Sequence, residues 1–579
     1  MSLSLLRAFT ARGLENIVLC PGSRSGPLAM AAGFLFENSE LNLYTAIDER
    51  SAAFMALGIS AATQKAAIVI TTSGTAVGNL LPAAVEANFS CLPIIFISAD
   101  RPKRLKNCGA NQTVNQEDYL KSVCRFVDFS TCNGIHLLTE DSLMLLVDRT
   151  WKQANNFYGP VHLNLAIEEP LYPSFDEQQE IWQLCESKSF SFDLIEPIST
   201  NVKGKLFNEK FIDIDPSKKG LILAGPWRGN DNSLPEFRDS IKDFQLITGW
   251  PIFADPLSGI LNNQRGLIEY WELLISSGII ALKEEIQLLR LGPLTSNRPL
   301  ESFLRKNSKN NILITESDKR CLDPLKQSKQ YSSGFISWFN QFKLKHSIKK
   351  NQSNKHSIPL LNELLIKNQR VEEWLELKLK FDEQLSEPGL ARFVPKILDK
   401  DIPIMLSASS PIRDFISFAG IDAFSRRCFS FRGASGIDGN LSLAIGLAIS
   451  LGPLFFICGD LAFLHDSNAL LLSQPKNYPL IILLIDNRGG GIFRTLKLDR
   501  FYKGNIEELF SMPQNVDILS IASSYDIPYR EICNFDDLQI SINWALKLSG
   551  PVLIHAKTNS EKDILLRRNI TEGLKNFVN

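Results

Sequence analysis

Short apolar runs constrain this chain more than any other feature. Ala67–Thr72 (AIVITT), Pro93–Ala99 (PIIFISA), Pro453–Gly459 (PLFFICG) and Leu480–Asp486 (LIILLID) show almost no alternation of apolar and polar residues. A strand of that composition must be covered on both faces, the condition met in a parallel sheet flanked by helices. Helical spacing fills the stretches between such runs: Arg50–Thr63, Thr75–Asn88, Leu441–Leu451 and Ala462–Leu472. The alternation predicts an α/β protein.

The pattern recurs along the chain. Asn42–Ile47 adds a strand to the first third, and Gly159–Leu171 runs its last strand into a proline-bounded exit. A second set follows at 220–225, 244–256, 285–293 and 311–317, and the last third adds 403–409 and 551–557. At 579 residues the chain has room for about three or four domains. We read three α/β domains with parallel sheets flanked by helices, over 1–180, 195–345 and 358–579. Residues from 175 to 195 read as a polar, irregular linker, and Lys343–Ser357 as a basic linker or helix surface.

Charge and cysteine usage exclude several classes. Lys plus Arg number 62 against 63 Asp plus Glu, so nothing draws the whole chain to nucleic acid or an anionic membrane. The ten cysteines form no C-x-x-C pair, and scattered thiols point to a reducing, cytoplasmic setting. The start, MSLSLLRAFTARG, has no signal-peptide pattern. Leu441–Gly459 is uncharged, but Gly446, Gly452 and Pro453 divide it into a buried helix, a turn and a strand rather than a membrane span. No P-loop, G-x-G-x-x-G, H-E-x-x-H or G-x-S-x-G motif occurs.

A spaced pair remains. Gly459-Asp460 ends one apolar strand, and Asn487 ends the next, 27 residues after Asp460, followed by Gly489-Gly490-Gly491. Oxygen ligands at neighbouring parallel-strand ends converge on one crevice. A carboxylate with an amide oxygen suits magnesium, and a glycine-rich turn beside a helix start suits diphosphate. Alone, such a pair also reads as a structural cap. Asp48-Glu49 likewise reads either as a helix cap with a first-turn acid or as a working carboxylate.

GDLAFLHDSNALLL (459–472) followed by LLIDNRGGGIF (483–493) resembles the signature of thiamine-diphosphate enzymes, and TTSGTAVGNLLPAAVEA (71–87) resembles their pyrimidine-binding domain. More narrowly, PGSRSGPLA (21–29), DERSAAF (48–54), GANQTVNQ (109–116) and RGASGIDGNLS (432–442) resemble the 2-succinyl-5-enolpyruvyl-6-hydroxy-3-cyclohexene-1-carboxylate synthase family. The similarity is dense in the first and last thirds and thin from about 175 to 400. It implies decarboxylation of 2-oxoglutarate and addition to isochorismate, in menaquinone or phylloquinone biosynthesis. Thiamine diphosphate would be the cofactor, with Mg2+ (or Mn2+) held by Asp460, Asn487 and Gly489. Glu49 would hydrogen-bond the pyrimidine ring, Ile437 would wedge beneath the cofactor, and Gln112 would stand near the reacting centre. Thr72, Gly74, Gly459, Ile492 and Phe493 would complete the cofactor site. Ser23, Arg24, Arg101, Arg298, Ser409, Arg413 and Arg432 would hold the carboxylates of both substrates, a task suited to the guanidinium fork. The resemblance also implies a site shared between subunits, hence a homodimer at least and compatibly a homotetramer. Two departures stand out: Leu461 replaces a frequent glycine, and Asn297 stands where a basic residue can precede Arg298. Other thiamine-diphosphate enzymes, a 2-oxoacid decarboxylase or an acetohydroxyacid synthase, are the nearest alternatives. A non-catalytic binding protein on the same fold is the alternative of a different class.

Overall fold

The computed structural model describes the chain except for residues 157, 187–208, 281–284, 296, 317, 347–357, 382–383, 474–477, 497–501, 503, 506 and 579. Among the described residues, eighteen strands fall into three six-stranded sheets, and the strand pairings in each are parallel. The first contains β1 (Asn16–Leu19), β2 (Asn42–Thr45), β3 (Ala67–Thr71), β4 (Ile94–Asp100), β5 (Phe126–Asp128) and β6 (Pro160–Ala166). The second contains β7 (Gly220–Ala224), β8 (Ile252–Ala254), β9 (Leu267–Ile268), β10 (Ile286–Leu291), β11 (Ser308–Ile314) and β12 (Ser328–Tyr331). The third contains β13 (Ile404–Leu406), β14 (Cys428–Phe429), β15 (Leu454–Gly459), β16 (Leu480–Asp486), β17 (Tyr529–Ile532) and β18 (Pro551–Lys557).

The first sheet runs β2-β1-β3-β4-β6-β5 and the third β14-β13-β15-β16-β18-β17, the same order in chains without sequence repeat. The central sheet runs β12-β11-β10-β7-β8-β9, a doubly wound order that reverses between β7 and β10. The apolar runs form interior strands: β3, β4 and β6 are buried at every residue.

Two cores lie between domains. One runs from the central domain, where helix Phe335–Lys345 is buried, into one face of the third sheet. The other joins helix Glu49–Thr63 of the first domain to helix Asn440–Leu451 of the third. Glycines allow that second contact. A Cβ on Gly58 would stand 2.3 Å from the Leu443 carbonyl oxygen, and one on Gly446 2.1 Å from that of Met55. The backbones therefore approach as side chains would forbid.

Four segments differ from expectation, the first being 244–256, whose start closes helix Leu234–Thr248 and of which only Ile252–Ala254 is strand. Thr75–Asn88 is two helices, Thr75–Asn79 and Leu81–Ser90, because Pro82 opens the second and lacks the N–H that would continue the first. Ala462–Leu472 is likewise divided: helix Asp460–His465 ends at Asp466, which is fully buried and accepts the Ser442 N–H at 2.8 Å. The stretch read as an irregular linker starts with a helix, Phe175–Glu186. Its capping box is Ser174 and Glu177: the Glu177 carboxylate accepts the Ser174 N–H at 2.7 Å and the Ser174 hydroxyl accepts the Glu177 N–H at 3.3 Å. Residues 187–195 lie outside the described residues. In the basic stretch, Lys343 and Lys345 lie in the last helical turn, where cations complement the helix dipole, and 347–357 lie outside the described residues. Leu441–Gly459 is a helix, a turn at Gly452 and a strand. Among the described residues no helix is long and apolar enough to cross a membrane.

Candidate functional site

The carboxyl ends of β13, β15 and β16 lie side by side in the third sheet. Asp460 leaves β15 and opens the next helix, almost fully buried. Its carboxylate accepts the Leu461 N–H at 2.7 Å and the Gly489 N–H at 2.6 Å. Burial first, and then the Asp486 carboxylate beside it, push its pKa well above the usual carboxylate range against those two donors. Asn487 leaves β16. Its Nδ2 donates to Glu387 Oε1 at 2.6 Å, and its Oδ1 is buried without a hydrogen-bond partner. A buried amide oxygen left unpaired costs about 1–3 kcal/mol. A divalent cation would relieve both the crowded carboxylates and the orphan oxygen. One carboxylate, one amide oxygen and a backbone carbonyl form a hard-cation donor set, so these residues fit magnesium. Gly489 (φ +114°) presses on the next segment: a Cβ there would stand 2.1 Å from the Ser511 carbonyl oxygen.

A cleft of about 370 Å3 opens beside this group, lined by Glu387, Ser410, Asp414, Gly459 and Asn487 over a floor including Leu406 and Ile457. Nothing lies within 4 Å of where a Gly459 Cβ would point. Two helices start here, at Ser410 and at Asp460, so N–H groups face the cleft region as diphosphate requires. Ser409 holds φ 75°, ψ −132°, a conformation that Gly74 adopts without strain at φ 85°, ψ −133°. A serine kept where glycine fits the backbone is a mark of a functional position. Ile492 and Phe493 sit on the turn Gly491–Thr495, with the Phe493 ring 5.9 Å from that of Phe510.

The first domain gathers a second cluster. Gly22 of PGSRS abuts Thr72, where a Cβ would meet the Thr72 side chain at 2.5 Å. The Gly74 N–H donates to Gln116 Oε1 at 2.8 Å. Gln112 Nε2 donates to the Ser73 carbonyl at 2.9 Å, and Arg101 Nη1 donates to the Ser73 hydroxyl and to the Gln112 carbonyl. Arg24 stands near enough to Arg101 to depress its pKa, after burial. Arg24 itself is buried and donates to the Ile167 carbonyl at 2.9 Å and to Glu169 at 3.0 Å. Ser23 is exposed, its carbonyl accepting the Tyr172 hydroxyl at 3.2 Å. Glu49 begins its helix behind the Asp48 cap, and Asn79 Nδ2 donates to it at 2.9 Å.

Further arginines meet at the third domain. Burial and the nearby Arg432 lower the pKa of Arg413, whose Nη1 donates to the Ser409 carbonyl at 2.7 Å. Arg432 is half-buried, with Asp255 of the central domain and Glu86 of the first domain offsetting part of its burial. Ile437 is half-buried in the same loop. Arg298 opens helix Arg298–Asn307 and is exposed. Asn297 caps that helix, accepting the Leu300 N–H at 2.8 Å and donating to Glu272 at 3.2 Å. That cap accounts for asparagine where a basic residue would fit.

Sequence reasoning missed Asn79, Gln116 and Glu387, which bond the predicted residues Glu49, Gly74 and Asn487, and Glu86, which bonds the loop after Arg432. Only Gln116 carried a signal, as the second glutamine of GANQTVNQ.

A family model described as thiamine pyrophosphate enzyme, N-terminal TPP binding domain, matches residues 2–119, and its C-terminal counterpart matches 419–556. A Prochlorococcus marinus 2-succinyl-5-enolpyruvyl-6-hydroxy-3-cyclohexene-1-carboxylate synthase is 57% identical over 577 residues, covering 99% of this chain and 100% of the relative. The same-named protein of a second strain is 48% identical, covering 99% and 96%. That of a Synechococcus species is 43% identical, covering 99% of each. The chain therefore belongs to the 2-succinyl-5-enolpyruvyl-6-hydroxy-3-cyclohexene-1-carboxylate synthase family, and is a thiamine-diphosphate-dependent enzyme.

Proposed function

We propose that the chain releases carbon dioxide from 2-oxoglutarate and joins the remaining four-carbon unit to isochorismate, as a cytoplasmic homodimer loaded with thiamine diphosphate and magnesium or manganese. The observation that carries this reading is the buried, unpartnered Oδ1 of Asn487 beside Asp460 at adjoining strand ends. Thiamine diphosphate, when bound, supplies the carbanion chemistry at the 2-oxoacid carbon. Asp460, Asn487 and the Gly489 carbonyl hold the cation, and the helix start at Ser410 receives phosphate oxygens. Glu49 holds a proton at the pyrimidine edge. Ile437, Ile492 and Phe493 provide an apolar wall that keeps water from the reacting carbon. Two arginine pairs, Arg24 with Arg101 and Arg413 with Arg432, match two dicarboxylate substrates.

The reading as a dimer rests on the family resemblance, which implies a site shared between subunits. The Glu49 neighbours Asp48 and Arg50 bond to Asn468 at 2.5 Å and to the His465 carbonyl at 3.1 Å. Those partners lie at and just beyond the far end of the helix that Asp460 begins, while Glu49 itself accepts from Asn79. By the resemblance that implies a site shared between subunits, a partner's Asp460 completes each site.

Product analysis tests the proposal. With 2-oxoglutarate, isochorismate, thiamine diphosphate and magnesium, isochorismate should vanish in step with carbon dioxide release. Succinic semialdehyde with isochorismate untouched would assign a simple 2-oxoacid decarboxylase instead. Cofactor binding without turnover would assign a non-catalytic protein.

A further inference from the structure

The loop Arg432–Gly439 follows β14 in the third domain, yet the first domain holds it. Gly433 donates its N–H to Glu86 Oε1 at 2.8 Å. Ala434 and Ser435 donate theirs to Glu86 Oε2 at 2.7 and 3.3 Å. Glu86 lies in helix Leu81–Ser90 and is 4% exposed, with the Ser90 hydroxyl also donating to Oε1. The loop lies flat on this helix. A Cβ on Gly433 would stand 2.7 Å from the Ser90 nitrogen and 2.8 Å from the Glu86 carbonyl oxygen. The far end is pinned as well: Gly439 (φ +67°) meets the Phe54 ring, 2.0 Å from where a Cβ would lie. These contacts explain two glycines of RGASGIDG as close approaches to another domain.

Burying a carboxylate is costly. Four donors offset it, three of them successive backbone amides. A carboxylate bonded in this way fixes the shape of the backbone it holds. The shape it fixes carries Arg432 at one end and Ile437 within.

We propose that Glu86 is a positioning residue for the reaction: by holding three amides of the loop it sets Arg432 and Ile437 in place, touching neither substrate nor cofactor. The proposal rests on the reading above that Arg432 serves a substrate carboxylate. Glu86→Gln, of nearly the same shape, and Gly433→Ala, which pushes the loop off while leaving Glu86 intact, test it together. Hydrogen–deuterium exchange of peptides spanning 432–439 should speed up by about tenfold or more in both variants, with 81–90 unchanged. The kcat/KM for isochorismate consumption should fall about 10–100-fold, while thiamine-diphosphate half-saturation moves less than about twofold. Unchanged loop exchange, equal acceleration of 81–90, or a cofactor requirement that shifts as far as kcat/KM would overturn the proposal. A wild-type chain that consumes neither substrate overturns the function and this proposal with it. An active wild type matched by Glu86→Gln overturns this proposal alone.

Discussion

Glu387 takes the amide nitrogen of Asn487 and so decides which way its oxygen faces. Arg567 holds Glu387 and Asp414 in turn, bonding each at 2.5 Å. Groups that orient a metal ligand typically contribute about 10–100-fold in metal affinity, so Glu387→Ala should weaken Mn2+ binding to that extent. Titration of Mn2+ by electron paramagnetic resonance checks this, and an unchanged affinity would contradict it. Glu49→Gln should keep magnesium-dependent cofactor binding but lose most turnover, about 100-fold or more for a proton-handling group. A rate near wild type would remove Glu49 from the chemistry. The placement of Asp460 and Asn487 at neighbouring strand ends was readable from the apolar runs and glycines around them. Glu86 and Glu387 were not, since a lone glutamate in a helix ordinarily reads as a solvated side chain. Their partners lie 347 and 100 residues away along the chain.

At the level of elements, the contact between helices Glu49–Thr63 and Asn440–Leu451 depends on Gly58 and Gly446. Gly58→Ala overpacks it and should destabilise the protein by about 1–3 kcal/mol, read from urea unfolding. No loss would mean that the helices shift freely. Asp466, which ends the helix begun by Asp460, gives a pH signature. Burial first, and then Asp48, raise its pKa to about 6, although the Ser442 donors and Arg50 oppose the shift. An unfolded aspartate titrates near 4, so between about 4 and about 6 the folded state binds the proton more tightly. This group therefore lowers stability as pH rises through that window. Asp466→Asn cannot titrate, and its stability relative to wild type should climb across the window by up to about 2–3 kcal/mol. Urea midpoints at several pH values check this, and a constant difference would contradict it. The strands were readable from apolar runs alone, but the break at Asp466 was not. Nothing in DLAFLHDSNALLL announces that an aspartate will turn inward to Ser442.

For the whole molecule, the class of fold followed from the sequence but strand order did not. Apolar runs of similar length are interchangeable until helices and crossovers choose neighbours, and only the structure gives the first and third sheets one shared order. The same limit hid the contacts between domains, which join residues hundreds of positions apart and leave no local pattern. The central claim is that each site takes Glu49 from one protomer and Asp460 from its partner. Mixing Glu49→Gln with Asp460→Ala under conditions of subunit exchange tests it most directly. Each variant alone should be nearly inactive. In a two-fold dimer, half of the mixed population would be hybrids with one intact site of two, so about a quarter of wild-type activity should return. A mixture as inactive as its components would contradict the shared site.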